Sequence, residues 1–547
     1  MNKVIQRDLS LDRNNIPKNI IVASTFGGGS HLVPMLEICK ILMDRGYNVT
    51  LVAPGNFTAK SELYNSIPQI NMGEEIDLYH KFPLLENYIF EQKHFNVFHA
   101  LRSFSSSKYV NTYNTFKKVA EEINVDLFIC DFFLNHACYD IAWKLKKPAV
   151  GITSVMNFVV DTPPYRSDPV FGCNVYMEYE SLYSRLRCLI LEPLKFLHAI
   201  ISIESELNVQ RAKVGVEPFW NPNGRILNNL MLYDNFFGFE MPMSLPPLHQ
   251  EIGPILPDTF PSLTPSPESF LAEHPRTIYF ALGTIGRIPP QNTITLLKSF
   301  NELINQNIID GVIWAFTKTN ISNLFSINDN NFKISIILNN EHPHIHTVKY
   351  APQFAILSHE NTKLFLSHGG AASSHESIYT ATPMLILPML GDQLGNAEKL
   401  EIYGMALKFM NNNLEINDVV SKVKRLINEE SFKKNAERLQ FLAKVNSKRK
   451  HRGADLIEVV MNTIRSEGIK DENGSLMIDN NVLLKEWISP GSRMGFIRGS
   501  YLDVYTVAVI TFLTLSSGFG YLLWKIIKFS YNSRNGSSRE SSKPKSE

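Results

Sequence analysis

The feature that most constrains the fold is the order of three segments near the start of the chain. An apolar segment comes first, a run of glycines second and an amphipathic segment third. Lys18 to Ser24 is mostly apolar, as in a buried strand, and Gly27 to Gly29 follow two residues later. From Leu32 to Arg45 apolar residues recur at intervals of three and four, which predicts a helix, and Tyr47 to Ala53 predicts a second strand. Strand, turn, helix and strand in this order predict a parallel sheet covered by helices.

The same unit recurs along the chain, in two series that a proline-rich linker separates. The first series continues with a strand at Val125–Cys130, a helix at Ala137–Leu145 and a strand at Ala149–Thr153, and Pro242 to Pro267 form the linker. The second series has strands at Thr277–Ala281, Gly311–Phe316, Ile345–Lys349, Thr362–Ser367 and Met384–Leu387, and a helix at Gln291–Asn305. Two α/β halves predict a cleft between two domains, with ligands at the carboxyl ends of the strands.

Charge and cysteine content exclude several classes of protein. The chain has 547 residues with 54 Lys and Arg against 53 Asp and Glu, a net charge of +1, so nothing in the charge favours nucleic acid as a partner. Its five cysteines have no paired C-x-x-C spacing, which excludes a zinc site of that type and a disulfide scaffold, although one or two bridges remain open.

The segment from Val504 to Trp524 predicts a single transmembrane helix. It contains no charged residue, and 21 helical residues extend about 31 Å, which matches one bilayer core. The alternative is a buried amphipathic core helix. Lysine and arginine are more frequent after the segment than before it, which predicts a cytosolic tail and a lumenal domain. Met1 to Pro17 shows no secretory signal, which predicts instead a tail anchor with the domain in the cytosol.

A motif between Tyr350 and Gln393 predicts a site for a phosphorylated, sugar-like ligand. A strand that ends at His368 is followed by two glycines and the start of a helix near Ser373. The N–H groups and the dipole at such a helix start bind anions. Glu376, one turn into the helix, suits a ribose diol, and Asp392 and Gln393 provide the acceptor and the donor that sugar hydroxyls need. The alternative for the two glycines alone is close packing of a helix on a strand.

This motif resembles the signature of the UDP-dependent glycosyltransferases, the family 1 enzymes of the GT-B fold, and the resemblance extends from Ser30-His31 to the membrane anchor. It implies an α/β fold of two Rossmann-like α/β/α domains with an interdomain cleft, plus a C-terminal transmembrane helix. The expected divisions are an acceptor-binding domain at 17–241, a linker at 242–267, a UDP-sugar-binding domain at 268–465, a juxtamembrane segment at 466–503, the transmembrane helix at 504–524 and a disordered basic tail at 525–547.

By this resemblance the donor site contains twelve residues: Gly283, Thr284, Tyr350, Ala351, Gln353, His368, Gly370, Ala372, Ser373, Glu376, Asp392 and Gln393. The ring of Tyr350 and the backbone of Ala351 would contact uracil, Gln353 and Glu376 the ribose, His368 and Ser373 the diphosphate, and Asp392 and Gln393 the sugar. Gly283-Thr284 would form a second turn facing the phosphates. Two positions depart from the family: Tyr350 replaces a tryptophan, and Ala372 replaces an asparagine.

The resemblance also assigns the catalytic residues. Transfer of a sugar to a hydroxyl needs a base, and His31 lies directly after the glycine turn, where a neutral imidazole suits that role. Asp131 closes a strand about a hundred residues later and would orient His31 and stabilise its charged form. The alternative is that both residues serve only as helix caps or their neighbours.

No metal or cofactor is expected besides UDP-sugar as co-substrate. The chain has no Asp-x-Asp pair, the motif with which metal-dependent glycosyltransferases hold a divalent ion. His342, His344 and His346 allow a metal interpretation, but their spacing is more typical of the polar face of a strand.

Together these observations predict an enzyme that transfers a hexose from a UDP-sugar, with inversion, to a hydroxyl of a small lipophilic acceptor such as a sterol, a lipid or a hydrophobic metabolite. Met72–Leu101 and Pro163–Leu207 are expected to line the acceptor pocket. The other expected partner is membrane lipid, oligomerisation stays open, and the resemblance favours the endoplasmic reticulum with a lumenal catalytic domain. The alternative is a non-catalytic, membrane-anchored subunit that binds nucleotide sugars or serves as a scaffold.

Overall fold

A computed structural model describes the chain from residue 11 to residue 540, apart from residues 15, 76, 154–172, 221–223, 244, 285, 317–333, 411–412, 473, 475, 479–482, 484 and 489. Part of the expected acceptor lining (163–172) and the end of the expected tail (541–547) lie outside the described residues. The chain divides into two compact units, Met1–Lys485 and Glu486–Glu547.

The first unit contains two parallel sheets, and the first of them has seven strands in the order β3-β2-β1-β4-β5-β6-β7. These strands are β1 (Asn19–Ala23), β2 (Asn48–Ala53), β3 (Gln69–Asn71), β4 (Leu127–Asp131), β5 (Ala149–Thr153), β6 (Leu230–Tyr233) and β7 (His249–Glu251). Ala23 of β1 pairs with Val52 on one side and with Cys130 on the other, so the three strands end at one edge. Edge strand β7 lies within the segment 242–267 that we expected to be a linker.

The second sheet has six parallel strands in the order β10-β9-β8-β11-β12-β13. These are β8 (Thr277–Ala281), β9 (Gly311–Ala315), β10 (Ile345–Val348), β11 (Thr362–Ser367), β12 (Met384–Ile386) and β13 (Ala406–Lys408). Ser367 at the end of β11 pairs with Ala281 and with Ile386, so these three strands also end at one edge. The predicted pair of parallel α/β sheets is confirmed.

Helices cover the faces of both sheets. In the first unit they are α1 (Gly29–Asp44), α2 (Phe57–Lys60), α3 (Leu78–Lys81), α4 (Leu85–Phe90), α5 (His94–Glu122), α6 (His136–Lys144), α7 (Leu182–Leu186), α8 (Glu192–Lys213), α9 (Gly224–Leu227), α10 (Pro265–Glu273), α11 (Pro290–Asn305), α12 (Ile334–Leu338), α13 (Gln353–Ser358), α14 (Ala371–Thr380), α15 (Gln393–Ile402), α16 (Ile416–Asn428), α17 (Glu430–Asn446) and α18 (Lys450–Glu467). A π-helical turn at Arg187–Leu191 and a 3₁₀ turn at Ser447–Arg449 join neighbouring helices, and a short antiparallel ladder pairs β14 (Ile469–Lys470) with β15 (Leu476–Met477).

The helix α18 returns to the first sheet and packs against α1. Lys450 donates from Nζ to Glu37 of α1 at 2.8 Å, and Glu458 accepts from Arg45 at 2.6 Å. Both carboxylates are nearly fully buried, so each contact replaces water with a charged partner. The segment we assigned to the second domain therefore also holds the first sheet in place.

Two disulfides are present, which agrees with the one or two bridges that the sequence left open. Cys130 at the end of β4 is bonded to Cys138 of α6, and Cys173 is bonded to Cys188. Cys39 is a buried free thiol.

The second unit contains α19 (Pro490–Gly499), interrupted at Gly495, and the long helix α20 (Leu502–Glu540). Residues Leu502–Arg534 of α20 are long and apolar enough to cross a membrane. Thr506 and Thr511 each donate to the carbonyl four residues earlier, which satisfies their hydroxyls within the helix. The helix continues to Glu540 through residues that we expected to be disordered from 525 onward. The apolar residues Ile526, Ile527 and Phe529 extend the helical pattern past Trp524.

Candidate active site

The structure brings the two predicted catalytic residues together at the edge of the first sheet. His31 lies in the first turn of α1, just after β1, and Asp131 is the last residue of the neighbouring strand β4. His31 Nδ1 is 3.3 Å from Asp131 Oδ1. A proton on Nδ1 completes this contact, which leaves Nε2 as a proton acceptor. The arrangement is that of a base with an orienting carboxylate.

Burial and charge act in opposite directions on the pKa of His31. Burial lowers it, whereas the charge of Asp131, the hydrogen bond to Asp131 and the charge of Asp392 raise it, and the net pKa lies above the usual value. Asp392 belongs to the second sheet's side of the site, so a charge from that side acts on the imidazole of His31 at the first sheet.

Two aromatic rings that the sequence analysis did not identify surround the imidazole. The centroid of the Phe26 ring lies 6.0 Å from that of His31 in a stacked arrangement, and Phe133 lies 5.4 Å away. The two phenyl rings are themselves 5.2 Å apart. Each phenylalanine lies two residues past a buried residue at the sheet edge, Ser24 after β1 or Asp131 at the end of β4. This matching position after two neighbouring strands is the sequence signal that could have identified them.

At the edge of the second sheet, His368 lies between the two glycine turns that we expected to face the phosphates. A Cβ on Gly370 would lie 2.5 Å from His368 Nε2, and one on Gly283 would lie 2.7 Å from His368 Cε1. Gly283 has a φ of +69° and Gly369 a φ of +80°, which favour glycine. Both turns therefore need glycine, because a side chain at either position would clash with the imidazole ring that the turns enclose.

Burial lowers the pKa of His368 to about 4, so the ring is neutral at physiological pH. In this neutral form the ring can donate a hydrogen bond to a phosphate and carries no positive charge. The positive potential at this edge comes from α14, which begins at Ala371 and has no acidic residue in its first turn. The buried side chain of Ser373 adds a hydroxyl to the same turn.

Gln353, Ser373 and Glu376 form one hydrogen-bonded group beside α14. Gln353 Nε2 donates to Glu376 Oε2 at 2.9 Å and to Ser373 Oγ at 3.2 Å. Burial raises the pKa of Glu376 to about 7, and the hydrogen bond from Gln353 opposes this rise only in part. The group is thus prepared to accept hydrogen bonds from a diol when Glu376 is ionised.

Asp392 and Gln393 precede and begin α15, and each is held by further contacts. Asn396 Nδ2 donates to Asp392 Oδ2 at 2.8 Å and to the carbonyl of Gly369 at 3.1 Å. Gln393 Oε1 accepts from the backbone N–H of Met389 at 2.9 Å. The side-chain amide nitrogen of Gln393 is then the group that can donate a hydrogen bond to a ligand. Asn396 was not among the predicted residues, although its spacing of four from Asp392 on a helix indicates the contact.

The remaining predicted donor residues differ in exposure. The Tyr350 ring is 75% exposed, which leaves a face open for stacking, and Ala351 is buried beside it. Thr284 is exposed in the turn after β8, and Ala372 is partly buried in the first turn of α14.

A cavity of about 470 Å³ opens beside the His31 region of the first sheet. The loops after β1, β2, β3 and β4 line it, and residues on its wall include Phe26, Met72, Phe104 and Leu134. Acidic and basic side chains such as Glu74 and Lys108 also line it. Phe26 lines the cavity and its ring is also stacked against that of His31, which is not itself among the lining residues.

The histidines that allowed a metal interpretation bind to other protein groups. His344 Nδ1 is 2.8 Å from the carbonyl of Asp310, and His346 Nε2 is 3.0 Å from Ser266 Oγ. In the part of the chain that the structure describes, no group of three or more His, Cys, Asp or Glu side chains is arranged to hold a metal ion.

Comparison with known proteins identifies relatives along most of the chain. Residues 227–463 match the family described as UDP-glucoronosyl and UDP-glucosyl transferase. A UDP-glycosyltransferase of Talaromyces amestolkiae is 30% identical over 523 residues, which cover 90% of this chain and 95% of the relative. UDP-glycosyltransferase stmC of Aspergillus ustus is 29% identical, covering 93% of this chain and 97% of the relative. The solved structure of a UDP-glucosyltransferase from Polygonum tinctorium superposes with a TM-score of 0.56 at 16% identity. The match covers 81% of this chain and all of that chain, and both have the GT-B fold.

Proposed function

Because the chain belongs to the family 1 UDP-glycosyltransferases, and so is an enzyme that transfers a glycosyl group from a UDP-sugar, we propose that it transfers a hexose with inversion to a hydroxyl of a small lipophilic acceptor. His31 is the base, and Asp131 orients it. The contact of 3.3 Å between His31 Nδ1 and Asp131 Oδ1 is the single observation that carries this proposal.

In the proposed reaction His31 Nε2 takes the proton of the acceptor hydroxyl as the oxygen forms a bond to the anomeric carbon of the hexose. The bond between that carbon and the diphosphate oxygen breaks, and UDP leaves with the electron pair. A single displacement places the new bond on the face opposite the leaving group, so configuration inverts. Asp131 stabilises the imidazolium that forms, because a carboxylate in hydrogen-bond contact with the ring offsets its positive charge.

The donor is held by residues of the second sheet. The N-terminal amides of α14 and the neutral ring of His368 bind the diphosphate. Glu376 accepts from the ribose hydroxyls and is kept in place by Gln353. The carboxylate of Asp392 and the amide nitrogen of Gln393 bind the hexose. The backbone N–H at Ala372 still belongs to the anion site, so we expect the replacement of the family's asparagine to weaken donor binding without abolishing it.

The acceptor occupies the cavity beside Phe26. The apolar part of the cavity wall, which includes Phe26, Met72 and Phe104, supports a lipophilic acceptor whose hydroxyl would point to His31. A membrane anchor formed by α20 concentrates the enzyme where such molecules partition, since the helix is long and apolar enough to span a bilayer. UDP-sugar and acceptor are then the small-molecule partners, and membrane lipid is the third.

We place the catalytic domain in the lumen of the endoplasmic reticulum. The greater number of basic residues after Trp524 supports a cytosolic tail. The two disulfides, Cys130–Cys138 and Cys173–Cys188, support the same topology, because disulfides persist in oxidising compartments and are rare in the cytosol.

Incubation of the detergent-solubilised full chain with a panel of UDP-sugars and a mixture of sterols, phenols and lipid alcohols tests the proposal. The expected result is release of UDP from one donor and a gain of one hexose mass on one acceptor, with the opposite anomeric configuration by NMR. The His31→Ala variant is the control and should bind UDP without transfer. A wild-type chain that binds UDP yet transfers to no acceptor would support the non-catalytic alternative.

A further inference from the structure

A buried serine touches the carboxylate that orients the base. Ser24 directly follows β1 and is fully buried, and its Oγ donates to Asp131 Oδ2 at 2.8 Å. Ala23 pairs with Cys130, so the next residue on each chain, Ser24 and Asp131, meet at the edge of the sheet. The backbone N–H of Ser24 donates to the carbonyl of Val52 at 3.1 Å, which fixes the serine against β2 as well.

The two oxygens of Asp131 have different partners. Oδ2 accepts from Ser24, whereas Oδ1 accepts from the backbone N–H of Phe133 at 3.1 Å and faces His31 Nδ1. The carboxylate of Asp131 cannot rotate without losing at least one of these contacts. A buried carboxylate held at both oxygens presents one fixed lone pair to the imidazole, and this fixes the ring's orientation and tautomer.

We propose that Ser24 is a positioning residue of the transfer reaction, which holds Asp131 so that His31 keeps Nε2 free to accept the proton of the acceptor. This inference rests on the proposed function of His31 as the base. Ser24 touches neither substrate nor His31, so its effect passes through Asp131. The hydroxyl also draws electron density from the carboxylate, which limits how strongly Asp131 holds a proton on the ring.

Removal of the hydroxyl has a defined effect on the base. In Ser24→Ala, Asp131 Oδ2 loses its donor, so the carboxylate stabilises the imidazolium more strongly and turns more freely. The charged groups that act on His31 are Asp131 and Asp392, and Asp392 is untouched by the change. We expect kcat at pH 7 to fall about tenfold. We also expect the acidic limb of the kcat/KM profile to move up by about one pH unit, which is a tenfold change in protonation. KM for the UDP-sugar stays unchanged.

A double-mutant cycle separates this role from a purely structural one. Asp131→Asn keeps the shape of the side chain but removes its charge, so Ser24→Ala should cause no further loss of kcat in that background. Ser299→Ala is the matched control, because Ser299 is equally buried and its hydroxyl donates at 2.7 Å to the carbonyl of Thr295, away from both sites. Ser24→Thr keeps a hydroxyl and should restore most of the rate and the wild-type pH profile.

Retention of UDP affinity identifies the variants that are folded. The proposal is overturned if Ser24→Ala matches Ser299→Ala in rate and pH profile, or if its loss multiplies with that of Asp131→Asn. These outcomes leave the proposed function standing, since that function fails only if wild-type protein lacks transferase activity or His31→Ala retains it. If Ser24→Ala does not fold, the pH profile and the double-mutant cycle are measured on Ser24→Cys, a weaker donor of similar size, with the same criteria.

Discussion

The carboxyl group of Glu376 should make the affinity for a UDP-sugar depend on pH around neutrality. Burial raises its pKa to about 7, and the hydrogen bond from Gln353 lowers it only in part. The ionised group is the better acceptor for the two hydrogen bonds that a ribose diol donates, because protonation turns one of its oxygens into a donor. The group is therefore competent to bind above pH 7, and it loses this competence as the pH falls through 7.

The size of the effect follows from the fraction of protein that is ionised. With a pKa of about 7, about nine tenths of the Glu376 carboxyls are ionised at pH 8 and about one tenth at pH 6. Because the apparent Kd rises as the competent fraction falls, binding should be about tenfold weaker at pH 6 than at pH 8. The pKa of His368 is lowered to about 4 by burial, so this ring is neutral in the free protein over the whole range.

Isothermal titration with UDP-glucose, without acceptor, measures this dependence. A UDP-sugar is the suitable probe because its diphosphate is esterified at both ends and does not titrate between pH 6 and pH 8, unlike that of free UDP. Glu376→Gln should bind more weakly at every pH and show no slope, whereas His31→Ala should keep the slope. An equal Kd at pH 6 and pH 8 in the wild type, or the full slope in Glu376→Gln, would refute the reasoning.

Further predictions concern the base, the sugar site, the anion turn and the topology. His31→Ala should lower kcat by about 10²- to 10⁴-fold with UDP affinity unchanged, as measured by steady-state kinetics and titration. Asp392→Ala should weaken UDP-sugar by about 1 to 3 kcal/mol but not UDP, and equal losses for the two ligands would contradict its contact with the hexose. Gly370→Ala should weaken UDP, because the new Cβ would lie 2.5 Å from His368 Nε2 and displace the ring. In sealed microsomes the catalytic domain should resist protease until detergent is added, and digestion without detergent would place it in the cytosol.

Much of the fold could be predicted because many of its strands and helices have a recognisable pattern within their own stretch of sequence. The strands predicted at Thr277–Ala281 and Thr362–Ser367 have the bounds that the structure shows, since each is an apolar run between breakers. The short edge strand β7 was missed because its three residues, including His249 and Glu251, show no strand pattern of their own. It forms through pairing with β6, a tertiary effect that local sequence does not record.

The candidate site could likewise be predicted from the sequence only in part. His368 and Glu376 lie in one short motif, so their proximity follows from strand and helix geometry alone. The pairing of His31 with Asp131 across a hundred residues came from resemblance to a family, and the structure supplies the distance. Ser24 carried no signal in the sequence, because a serine after a strand is common and its partner is set by the register of β1 on β4.

The two domains contribute to one chemical step through their charges as well as their contacts. Burial lowers the pKa of His31, and Asp131 and then Asp392 raise it, so the base is adjusted from both sheets. Asp392 is proposed to bind the hexose, whose hydroxyl groups would share the negative charge that otherwise acts on the imidazole. The diphosphate of the bound donor carries negative charge of its own, so donor binding changes the pKa of His31 through Asp392 and through the diphosphate, and the two act in opposite directions. Comparing the acidic limb of the kcat/KM profile with that of the kcat profile measures the net change, because the first reports the free enzyme and the second the enzyme with its substrates bound.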